Sequence, residues 1–79
     1  MNKYLKFIQK LSVKDREKVL EIWRRIINSD LEKLNVKKLS GFQNYYRVRA
    51  GKIRFVFKME NSRNILINID YRKDAYRNL

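Results

Sequence analysis

The chain has 79 residues, 20 of them Lys or Arg against 8 Asp or Glu, for a formal net charge of +12. It contains no cysteine and no histidine, which excludes disulfides, thiolate chemistry, the usual zinc sites and the commonest general base. A hydrophobic content of 44% suits one small folded domain over residues 1–79 rather than a disordered basic tail. The charge calls for a polyanionic partner, nucleic acid or an acidic protein.

No apolar run is long enough to span a membrane, and "MNKYLKFIQK" lacks the uninterrupted apolar stretch of a signal peptide, so the expected location is the cytoplasm. Tyr4, Phe7, Ile8 and Leu11 form one apolar stripe on a short helix. "SVKD" (Ser12 to Asp15) reads as an N-cap with an acid three residues on, opening a second helix. The apolar positions Val19, Ile22, Trp23, Ile26 and Ile27 recur at three- and four-residue steps and extend toward Leu31 and Leu34. The expectation is an antiparallel helical hairpin over about residues 2–34, with Trp23 in the core rather than in a ligand stack.

Beyond "KKLSGFQN" the apolar residues alternate instead. Three strands are expected, roughly 44–50, 53–60 and 64–71, giving an antiparallel sheet over about 44–71 and a short tail, 72–79. Gly51-Lys52 suits a two-residue type II′ turn, which pairs Ala50 with Ile53, Arg49 with Arg54 and Val48 with Phe55. Alternation then puts Tyr46, Val48, Ala50, Ile53, Phe55 and Phe57 on one face, extended by Ile65, Ile67 and Ile69 and covered by the helices. The fold class is α+β.

The opposite face collects Tyr45, Arg47, Arg49, Arg54, Lys58, Asn68, Asp70 and Arg72, with Lys52 in the turn. Like charges directly across a strand pair repel, and one carboxylate, Asp70, cannot offset the cations around it. An anion on this face explains them, and a phosphate backbone is the natural one. The competing account is a merely solvated sheet face, which is common for antiparallel sheets.

The C-terminal "DYRKDAYRNL" adds Arg72, Lys73, Tyr76 and Arg77 to Tyr71. Nearby positive charge makes a phenol a better proton acceptor, and arginines can neutralise a phosphorane-like oxyanion. Such groups could cleave RNA with neither histidine nor metal, by activating the ribose 2′-OH toward the adjacent phosphate and protonating the leaving 5′-oxygen. The structural alternative for Tyr76 is packing of the tail onto the sheet edge. Asp70 and Asp74 stand isolated amid cations and make no metal site; no glycine-rich phosphate loop is present, and no cofactor is expected.

These motifs resemble the RelE/ParE superfamily of bacterial toxins. The resemblance is carried in order by Lys38-Leu39-Ser40-Gly41, Tyr46-Arg47-Val48-Arg49, the return from Gly51 to Arg54, and Arg72 followed by Tyr76. It covers essentially the whole chain, and in its RelE branch it implies a ribosome-dependent mRNA endonuclease of a type II toxin–antitoxin system, neutralised by a cognate antitoxin that wraps around it. Arg47 and Arg49 then match the strand positions that contact RNA, with Lys52, Lys58, Lys73 and Arg77 as further RNA-binding cations. Arg54 and Arg72 match the arginines that stabilise charge at the scissile phosphate. Tyr76 matches the C-terminal tyrosine proposed as a base or a stacking platform.

Three departures from the family pattern stand out. The strand that opens many members has almost no room here. Tyr71 replaces a His before the final Arg, so either Tyr71 or Tyr76 handles protons. Arg stands where relatives place Lys in the paired strand positions, and Arg hardly titrates. The expected partners are mRNA, the ribosome and the antitoxin, with no membrane and a monomeric free toxin. Two other functions remain open: a ParE-like poison of DNA gyrase, and a degenerate toxin that binds RNA without cutting it.

Overall fold

The computed structural model describes residues 3–71. Helix α1 (Lys3–Gln9) is joined to α2 (Val13–Ile27) through Lys10, Leu11 and Ser12. Ser12 is the N-cap of α2, its hydroxyl accepting the Asp15 N–H at 3.2 Å, which satisfies one of the amides a helix start leaves without a partner. Arg16 reaches back from the first turn of α2 and donates to the Leu11 and Gln9 carbonyls at 3.3 and 3.4 Å. The end of one helix is thereby tied to the beginning of the next.

α2 stops at Ile27, short of Leu31 and Leu34. Asn28, Ser29 and Asp30 interrupt the apolar pattern, and Ser29 adopts a left-handed φ of 58°. Asn64, buried in the sheet, donates to the Ile26 carbonyl at 2.9 Å and to the Ser29 hydroxyl at 3.2 Å. Leu31 and Leu34 still pack against the core, from a turn rather than from a helix.

The sheet has four strands rather than about three: β1 (Asn35–Lys38), β2 (Tyr45–Ala50), β3 (Ile53–Glu60) and β4 (Arg63–Tyr71). They run antiparallel in the order β1-β2-β3-β4. β1 carries a single apolar residue, Val36, placed across from Val48, and one apolar position is too little for alternation to show. The β2–β3 register is the expected one, Ala50 with Ile53, Arg49 with Arg54 and Val48 with Phe55. Gly51 supplies the left-handed residue of that turn at φ 60°.

One expectation for β4 fails. Phe55 pairs with Ile69 and Val56 with Asn68, but Phe57 pairs with Leu66, so Ile67 is an extra residue in a β-bulge. An added residue reverses which side chains face which way. Ile69 faces the helices on one side of the bulge, and Leu66 and Asn64 do so on the other. Ile65 is turned outward and exposed, and Ile67 is half-buried. The Tyr4 hydroxyl, on α1, donates to the Ile67 carbonyl at the bulge.

The core lies between the helices and this face of the sheet. Ile8, Leu11, Val19, Ile22 and Ile26 meet Val48, Ile53, Phe55, Phe57, Leu66 and Ile69. Trp23 packs against this cluster, with the Tyr4 ring edge-on at 6.1 Å, as its helical spacing predicts.

Two stability predictions follow from these polar contacts. Replacing Asn64 with Ala removes a buried hydrogen bond and should lower stability by about 1–2 kcal/mol, read as a lower urea midpoint; an unchanged midpoint would mean that the contact does not hold the helix end. Burial raises the Tyr4 phenol above its ordinary pKa of 10.0, so the fold favours its neutral form. That contribution is complete below the unfolded-chain pKa and is lost as pH rises through the folded value. Urea midpoints measured from neutral pH to above pH 10 should therefore fall less steeply in Tyr4→Phe than in the wild type.

Candidate nucleic-acid interface

On the side of the sheet away from the helices, cross-strand partners fall into rows. One row runs Asn35, Arg49, Arg54, Asp70; the next Lys37, Arg47, Val56, Asn68; a third Tyr45, Lys58, Ile65. Neighbouring strands lie about 4.8 Å apart, so Arg49 and Arg54 start side by side. Arg47, Arg49, Arg54 and Lys58 thus share one surface, as alternation predicts. Lys37 joins them through β1.

Val56 has 0% exposure on this outer face, although it is separate from the helix-side cluster. It sits between Arg47 and Asn68 in its row and between Arg54 and Lys58 along its strand. The cations therefore flank a dry centre rather than a fully wet surface. Arg47 is half-buried, and its Nη1 is buried with no hydrogen-bond partner. A buried donor without an acceptor costs about 1–3 kcal/mol, and an anion at this place would satisfy it.

Among the described residues, part of the counter-charge lies on the helix rather than on this face. Glu21 on α2 holds Arg24 at 2.6 Å and Arg25 at 3.2 Å, and Arg25 also lies 3.5 Å from Asp30. The Arg24 hydrogen bond comes first among the contacts that hold the Glu21 carboxyl below its ordinary range. On the outer sheet face Asp70 stands across from Arg54, with its Oδ1 accepting the Tyr71 N–H at 2.8 Å. Glu60 lies 3.6 Å from Lys58. Among the described residues no group of three acidic side chains gathers as metal ligands.

Tyr71 is placed apart from Arg54. β4 continues through Tyr71, which pairs with Ile53 and so lies on the helix side, edge-on to Phe7 at 5.3 Å. Lys52, in the β2–β3 turn, lies with its Nζ 5.9 Å from the Tyr71 ring centre. The sheet separates these two from the row of Arg49 and Arg54. Arg72, Lys73, Tyr76 and Arg77 lie outside the described residues.

Sequence reasoning missed Lys37, because β1 was not legible, and it missed Phe42. Phe42 is 42% exposed in the loop before β2, with its ring 5.6 Å from that of Tyr45 and tilted by 41°. Lys58 Nζ lies 5.7 Å from the centre of the Tyr45 ring. The signal available in the sequence was "GFQNYY", an aromatic pair directly ahead of the basic strand.

No protein-family model matches the chain. Among curated proteins it is similar to Toxin RelE3 of Methanocaldococcus jannaschii, 36% identical over 44 residues, 56% of this chain. The match spans 50% of the length of that relative. Among solved structures it is similar to a chain of the RelB-RelE antitoxin-toxin complex from Methanococcus jannaschii, with a TM-score of 0.72 and 26% identity. That likeness covers 89% of this chain and 85% of the other.

Like charges directly across a strand pair are expected to cost stability in the free protein. Arg49→Thr removes a like-charged cross-strand pair and should raise stability at low salt by up to about 1 kcal/mol. Screening should shrink the gain as ionic strength rises. Calorimetry of both proteins at low and high salt checks this, and a variant less stable than the wild type at low salt would contradict it.

Proposed function

We infer, from the premise that the chain is RelE-like in fold and sequence, that it is the toxin of a type II toxin–antitoxin pair and cleaves mRNA in the decoding site of the ribosome. The observation that carries this is the outer sheet face, which Lys37, Arg47, Arg49, Arg54 and Lys58 share around buried Val56 and where Arg47 Nη1 is buried without an acceptor. A chain of phosphates suits that surface better than water does, because each phosphate offers several acceptors and a charge.

In the proposed reaction a ribose 2′-oxygen attacks the adjacent phosphorus as the bond to the 5′-oxygen breaks. The products are a 2′,3′-cyclic phosphate and a 5′-hydroxyl. Arg54 and Arg72 take the charge that builds on the non-bridging oxygens. The position of Tyr71 on the helix side favours Tyr76 for taking the 2′ proton, and a proton from water completes the leaving 5′-hydroxyl. The ribosome supplies the alignment of substrate that an active site without histidine cannot supply alone. The same face offers an acidic antitoxin segment a surface on which to fold, and the solved relative comes from an antitoxin-toxin complex. On this account the protein acts in the cytoplasm.

One observation favours a second function, RNA binding without cleavage: the chain has no histidine, and Tyr71 faces away from the arginines. Primer extension on a defined mRNA held in the decoding site separates the two. Wild-type protein should cut at a fixed place in the decoding-site codon, and Arg54→Ala and Arg72→Ala should each reduce cutting by roughly a hundredfold or more. No cut by folded wild-type protein would leave RNA binding alone or poisoning of DNA gyrase, which a gyrase cleavage assay distinguishes.

A further inference from the structure

A large aromatic ring left 42% exposed beside a row of cations is poorly explained by folding alone. Phe42 lies outside the core cluster, and its described ring contact is Tyr45 at 5.6 Å. Tyr45 shares the outer face of β2 with Arg47 and Arg49 and the outer face of its row with Lys58 and Ile65. Lys58 lies over the Tyr45 ring at 5.7 Å. The pair is held by backbone geometry as well as by contact. Gly41 (φ 84°) and Asn44 (φ 62°) turn the loop, the Leu39 N–H bonds the Tyr45 carbonyl at 2.8 Å, and the Met59 N–H bonds the Asn44 carbonyl at 2.9 Å.

We propose that Phe42 and Tyr45 form a stacking platform for an unpaired nucleobase of single-stranded RNA, at the opposite end of the basic face from Arg49 and Arg54. The proposal rests on the inference that this face binds RNA, and it adds a base contact to the phosphate contacts. The two rings are tilted by 41°, and Phe42 keeps 42% of its surface exposed, where a third ring could stack. Lys58 sits where it can balance the phosphate that follows the stacked base. Along β2, Tyr45 is four residues from Arg49, about 13 Å at the usual strand rise, so a strand seated on both would lie extended across the sheet. Stacking on an aromatic ring tolerates any base but requires that a base be present. Apolar contact with a protein partner has no such requirement.

That difference supplies the test. Affinities are measured at one fixed ionic strength for a short single-stranded RNA and for an abasic strand with the same number of phosphates. Phe42 is exposed in a loop, so its substitutions are expected to leave the melting temperature unchanged, which is checked for every variant. Phe42→Ala should weaken binding of the RNA about tenfold or more and leave the abasic strand unaffected. Phe42→Trp should restore the affinity; Phe42→Leu, apolar but without a π-face, should not. Equal losses on both strands, or no loss on either, would overturn the platform. Arg47→Ala serves as the control for the underlying inference. If Arg47→Ala weakens both strands while Phe42→Ala does nothing, the platform alone fails and Phe42 is left to a protein contact. If the wild type binds neither strand, the platform and the RNA-binding inference fail together.

Discussion

The register between β2 and β3 is the constraint on which the rest depends. Ala50 faces Ile53, Arg49 faces Arg54 and Val48 faces Phe55. Because side chains alternate with a strict period of two, a slip of one residue would send Arg47 and Arg49 into the helices and Val48 into water. Gly51 fixes the register from the turn, and the apolar residues fix it from the core. Those residues supply the hydrophobic gain, and the same alternation sends every arginine of the two strands to the other side. Folding and the assembly of the charged face are thus one event.

The arrangement of the acids gives the charged face its meaning. A stability-optimised surface intersperses its signs. Here Glu21 and Asp30 serve the arginines of α2, whereas the central rows of the sheet set Asp70 against Lys37, Arg47, Arg49 and Arg54. Buried Val56 and the unpartnered Arg47 Nη1 add desolvation to the repulsion. A desolvated guanidinium binds an anion more tightly than a wet one, because less water must be displaced and the local dielectric is lower. The features expected to weaken the free protein are therefore those that a phosphate ligand would turn to advantage.

Signals that were local in the sequence could be read from it. The Ser12 cap, the α2 apolar stripe from Val19 to Ile26 and the Gly51 turn each need only a few adjacent residues, and all three hold in the structure, whereas Ile27 at the end of the stripe is exposed. Long-range signals could not be read. β1 has only Val36 to announce it, and its pairing with β2 is decided by the whole sheet. At the early end of α2 the Ile26 carbonyl is met by Asn64, which is distant in sequence. On the candidate face the arginines were visible because alternation is local. Lys37 was hidden with β1, and Phe42 was hidden in a loop where periodicity carries no information. Tyr71 lies on the helix side because β4 includes it, as the expected strand 64–71 implies.

The bulge at Ile67 joins the two halves of the molecule. Unbroken alternation would have put Ile65 in the core and Asn64 outside. With one extra residue, Asn64 turns inward, where it reaches the Ile26 carbonyl of α2, and Ile65 turns outward beside Lys58. The same insertion therefore brings Asn64 to the helix end and makes the end of the basic face near Phe42 and Tyr45 less polar. Asn68 and Asp70 lie beyond the bulge and keep their places among the arginines. The face consequently grades from charge at Arg49 and Arg54 to aromatic and aliphatic surface at Tyr45 and Ile65. A uniform polyanion would gain nothing from that gradient, whereas a strand with phosphates along one edge and bases along the other is complementary to it.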